Sequence, residues 1–91
     1  MKHHSTDHYR DQFTKELARL IGCKPESLPT TTPKIIGAQF LGLKNPKTLN
    51  VWHSAGRHGI VMVKIGRITE VSTEWLIDLK TESLSVSQEV A

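Results

Sequence analysis

The stretch LGLKNPKTLNVWHSAG, from Leu41 to Gly56, carries a tryptophan, two lysines, two asparagines and three further polar side chains, with no acidic residue. Reading Pro46 to about Ala55 as a helix, with Leu49 and Trp52 turned inward, sets the opposite face. At about 100° per residue, Lys47, Asn50, Val51 and Ser54 share that face and Thr48 lies on its flank. It offers an ammonium, an amide, a hydroxyl and a small apolar group. A DNA major groove presents phosphates at its rim, and donors, acceptors and thymine methyls on its floor. A carboxylate here would repel phosphate. The chemistry predicted is recognition of a polyanion, without bond making. Lys47 suits phosphate or guanine, Asn50 suits the edge of adenine, and Thr48 and Ser54 support them.

The charge pattern of the whole chain agrees. The net charge of +3 hides a segregation. Residues 1–26 balance at +1 and residues 70–91 at −4, whereas Ser27 to Thr69 holds six bases and no acid. The six are Lys34, Lys44, Lys47, Arg57, Lys64 and Arg67. Such segregation makes a positive face that attracts polyanions, chiefly nucleic acid, although it is also compatible with a merely solvated surface. Lys44 and Arg57 flank the candidate helix, so both join the predicted DNA-binding residues.

Other chemistry-bearing residues are weaker. His4 and His8 stand four apart and can share a metal on a helix, but no third ligand is near in sequence. Cys23 is alone, which rules out an intramolecular disulfide, and nothing local activates it as a nucleophile. His53 and His58 suit either a DNA contact or a solvated role. There is no phosphate-cradling glycine loop, no paired-carboxylate motif and no CxxC, so no enzyme and no cofactor are predicted. No run approaches the ~20 apolar residues that span a bilayer, and no signal-peptide segment opens the chain; a cytoplasmic protein is expected.

Around these residues the chain reads as a succession of short elements. Tyr9, Phe13, Leu17, Leu20 and Ile21 mark one face of a helix from about 8 to 21, with Asp7 as cap and Gly22 after its last turn. Lys15 and Arg19 lie on its solvent edge. CKPESLPTTTP then reads as a connector. A second helix is predicted from Pro33, capped by Thr32, with Ile35, Ile36, Phe40 and Leu41 apolar and Gly42 as its stop. The third follows Asn45, again a capping residue before proline. Two short helices with glycine at the break form a helix-turn-helix pattern. Beyond Gly59 the period changes: IVMVKI and ITEV around Gly66-Arg67 predict a β-hairpin. Ser72 then caps a fourth helix, through Trp75, Leu76 and Leu79, to about Thr81. The division expected is 1–32 helix and connector, 33–81 a winged helix-turn-helix domain, and 82–91 a tail. The fold class is mainly α with a small β-hairpin.

LGLKNPKTLNVW, then Gly56-Arg57, then VKIGR at Val63–Arg67, resembles the excisionase-like, MerR-like family of small winged-helix DNA-binding proteins. The resemblance covers about residues 33–80. It implies a recombination directionality factor or small transcriptional regulator, with an integrase or recombinase as a further partner. It also implies a hairpin wing on the DNA backbone or minor groove, for which Lys64 and Arg67 are suited. Two features depart from the family. The turn between the helices is a residue longer, and Glu70 stands in the wing's returning strand, which is usually basic. A domain this small presents a limited interface, so a dimer or several copies side by side on DNA are expected. The alternative is a protein-binding adaptor that uses the same fold to hold an acidic surface of a recombinase or response regulator.

Overall fold

A computed structural model describes the backbone of residues 2–90 and the side chains of residues 8–83. The elements run α1 (Lys2–Ile21), a single 3-10 turn (Pro25–Ser27), β1 (Thr31–Pro33), α2 (Lys34–Leu41), α3 (Lys47–Ala55), β2 (Met62–Ile65), β3 (Ile68–Ser72) and α4 (Thr73–Val90). The result is a small α/β domain, mostly helical, with four helices and a three-stranded antiparallel sheet ordered β1-β3-β2.

The sheet is larger than the predicted hairpin. β2 and β3 pair antiparallel from Met62↔Val71 to Ile65↔Ile68, as the alternating pattern around Gly66-Arg67 implies. The additional strand comes from the expected connector: Thr31, Thr32 and Pro33 pair with Ser72, Val71 and Glu70. Thr32 therefore caps nothing. It is fully buried, and its hydroxyl bonds that of Thr73 at 2.7 Å. Pro33 ends the strand with an extended ψ of 142°, so α2 begins one residue later, at Lys34.

Both helices of the central pair end at a left-handed glycine. Gly42 has φ 77° and Gly56 φ 65°, a conformation a Cβ makes costly. The Leu43 N–H reaches back to the Ala38 carbonyl at 2.8 Å, and Arg57 N–H to Trp52 at 2.8 Å. These bonds satisfy carbonyls that a helix end leaves without partners. At the opposite end of α3, the Asn45 side-chain oxygen accepts from Lys47 N–H at 2.9 Å. Asn45 thus caps the helix as its residue type implies. Ser72 does the same for α4, accepting from the Trp75 N–H at 3.2 Å.

The core gathers Leu17, Phe40, Leu49, Val71, Trp75, Leu76 and Ile77, drawn from all four helices and β3. Leu17 of α1 is fully buried, so the N-terminal helix packs into the same core as the helix pair. Two members of the expected apolar stripes face solvent instead: Leu20 on α1 and Ile35 on α2 are exposed. Gly37 and Ala38 take the interior positions on α2. Their small size lets α4 approach, and Leu76 closes over Gly37.

Two boundaries differ from expectation. α1 starts at Lys2, so Asp7 lies within the helix and does not precede it. α4 continues to Val90, so residues 82–90 are helical where a tail was expected. The side chains of His4 and Asp7 lie outside the described residues. No helix among the described residues is long and apolar enough to cross a membrane.

Candidate nucleic-acid interface

Leu49 fixes the orientation of α3. It is fully buried, and Trp52, three residues on, is half-buried against the same core. Trp52 is less interior than its spacing suggests. Its ring meets that of His58 edge-on, with centroids 4.5 Å apart. Trp75 takes the deeper place, and its indole N–H donates to the His58 carbonyl at 2.8 Å. This bond ties the residues after α3 to α4, where His58 holds an uncommon positive φ of 58°.

The outer side of α3 is left to solvent. Lys47, Asn50, Val51 and Ser54 are exposed and Thr48 is half-buried on the flank. Asn50, Val51, Ser54 and Ala55 line a shallow open depression along this face. Val51 is 61% exposed and, with Ala55, supplies the apolar part of this face. Lys44 lies exposed in the turn before the helix and Arg57 immediately after it, so the two cations bracket its ends.

Lys34 was not among the predicted site residues, yet the structure brings it to this face. From the start of α2 its ammonium donates to Asn50 Oδ1 at 3.3 Å. In sequence Lys34 shows only as one of the six bases. Its proximity to Asn50 depends on how α2 crosses α3, which periodicity does not encode.

Lys64 and Arg67 are exposed on the hairpin, Lys64 opposite Thr69 and Arg67 in the turn. Among the described residues no ion pair joins either of them to α3. Glu70 is half-buried on the neighbouring strand, and its carboxylate accepts from the Thr31 hydroxyl at 2.6 Å. That bond gives Glu70 a place in the sheet. Its charge nonetheless stays close to the proposed wing.

The electrostatic division is also spatial in its pairing. Among the described residues the ion pairs are Arg10–Asp78, Lys15–Asp11 and Lys80–Glu16, all within or between α1 and α4. None of the six bases between Ser27 and Thr69 has a carboxylate partner there. The ion pairs thus tie the two long helices together and leave the central bases outside them. No group of three or more histidine, cysteine or acidic side chains arranged for a metal occurs among the described residues. Cys23 is a free, half-buried thiol. The chain matches no family model, no curated protein and no solved structure.

Proposed function

We propose that the protein is a non-enzymatic, sequence-specific binder of double-stranded DNA, of winged helix-turn-helix type. α3 enters the major groove, and the hairpin tip at Lys64–Arg67 touches the backbone or an adjacent minor groove. The single observation that carries this is the outer face of α3: donors, a hydroxyl and an apolar group, flanked by cations that no carboxylate neutralises among the described residues. The order of the elements supports it as well, with two short helices around a glycine turn followed by a hairpin. Lys44, Lys47 and Arg57 would hold phosphates, while Asn50, Val51 and Ser54, with Thr48 beside them, would face base edges.

A role in recombination or transcription would follow from where such a site lies. The limited interface of one small domain favours several copies on one DNA.

A second reading, a protein-binding adaptor, has its own observation. Register places Val63, Ile65 and Ile68 on the sheet face away from Val71, and all three are exposed. Rows of exposed apolar side chains commonly mark protein contacts.

Fluorescence anisotropy of labelled random-sequence duplex, titrated with the protein at low and at physiological salt, separates the two. DNA binding predicts association that weakens steeply as salt rises, because neutralised phosphates release counterions. Absence of binding even at low salt would remove the DNA reading and leave the adaptor.

A further inference from the structure

The Lys34–Asn50 contact changes what Asn50 can read. An asparagine on a groove-facing helix usually pairs with adenine through both ends of its amide: Nδ2 donates to N7, and Oδ1 accepts from the N6 amino group. Here Oδ1 already accepts from the Lys34 ammonium, at 3.3 Å, across the junction of α2 and α3. An adenine amino group would have to bring its own N–H donors against that cation. Oδ1 keeps a second lone pair, but the ammonium beside it disfavours a further approaching donor, so the pair offers mainly donors: the two amide N–H groups of Asn50 and the remaining N–H groups of Lys34.

Guanine is the base whose major-groove edge offers two acceptors, O6 and N7, and no donor. Thymine offers one acceptor beside a methyl group, and cytosine offers a donor. We propose that Lys34 and Asn50 act as one reading unit, in which Lys34 converts Asn50 from an adenine reader into a donor pair that selects guanine. The inference rests on α3 lying in the major groove, as proposed above. Lys34 is then a specificity-determining residue, reaching the base from a helix other than the one in the groove.

The test is enrichment of binding sites from a pool of randomised DNA duplexes. It uses the wild-type chain, Lys34→Met, Asn50→Ala and the double variant, each checked for an unchanged melting curve. Wild type should enrich a site with guanine at a position whose preference disappears in Asn50→Ala. At that position Lys34→Met should move the preference towards adenine by about tenfold or more, the worth of a good two-bond base contact. In the Asn50→Ala background, Lys34→Met should change no base preference.

Two results overturn the proposal while leaving DNA binding intact. One is adenine already preferred by wild type at the Asn50-dependent position. The other is Lys34→Met weakening every duplex by the same factor with guanine still preferred, which makes Lys34 a phosphate contact only. A folded wild type that enriches nothing from the pool overturns the groove-binding function itself, and this inference with it.

Discussion

The Lys80 ammonium donates to the backbone carbonyl of Phe40 at 2.6 Å and lies 4.3 Å above that residue's ring. Phe40 is the penultimate residue of α2, so its carbonyl has no partner within the helix. The same ammonium bonds Glu16 of α1 at 3.1 Å. One cation on α4 thus joins α1 and α2, and it is the one base in residues 70–91.

Lys80→Met keeps the aliphatic stem and removes the donor. A hydrogen bond to a charged group contributes roughly 1.5–3 kcal/mol, so the variant should lose stability in that range. Urea denaturation of the two proteins measures it. A change below about 0.5 kcal/mol, within what an ordinary surface substitution gives, would mean that water replaces the ammonium at the Phe40 carbonyl.

The buried hydroxyl pair Thr32–Thr73, at 2.7 Å, pins β1 to the start of α4. Removing one hydroxyl leaves the other unsatisfied in the core, at a cost of roughly 1–3 kcal/mol, whereas removing both is nearly neutral. Thr32→Val and Thr73→Val should each destabilise, and the double variant should recover most of the loss. Additive losses in a thermal or chemical melt would show that the two hydroxyls do not depend on one another.

The two tryptophans should differ in their structural cost. Trp75 is 8% exposed and bonded to His58, so Trp75→Ala should cost roughly 3–5 kcal/mol. Trp52, half-buried against the edge of the core, should cost distinctly less. Equal losses on denaturation would place Trp52 in the core proper.

Glu70 brings a negative charge to the strand beside the proposed wing. Glu70→Gln keeps an acceptor for the Thr31 hydroxyl and should tighten binding to any duplex at low salt, the gain shrinking as screening increases. Identical affinities at low salt would put the hairpin away from the DNA.

Much of this architecture is legible in the sequence where local chemistry decides it. Asn45 and Ser72 cap as their types suggest, Gly42 and Gly56 stop helices, and Leu49 sets the inward side of α3. β1 was hidden because a three-residue strand ending in proline has no periodicity to read, and its pairing with β3 is a long-range event. Its signal was the run of β-branched threonines. Thr32 misled for a related reason: a threonine before proline suits a cap, but burial against Thr73 used its hydroxyl first. The continuation of α4 beyond Thr81 has little signal in the sequence, because residues 82–91 are mostly polar or small. Lys34 escaped because only the packing of α2 on α3 brings it to Asn50.

In the proposed complex, α3 is positioned by phosphate contacts and reads sequence from the middle of its outer face. Lys47 lies in the first turn and Asn50 nearly one turn on. The measurement is the affinity of wild type, Lys47→Ala and Asn50→Ala for an enriched duplex and its scrambled version over a salt series. Lys47→Ala should weaken both duplexes alike and lower the salt slope by about one unit, since each neutralised phosphate contributes ~0.9. Asn50→Ala should leave the slope unchanged, cost roughly 1–3 kcal/mol on the enriched site and barely alter the scrambled one. If neither substitution changes affinity for either duplex, α3 is not the DNA-reading helix.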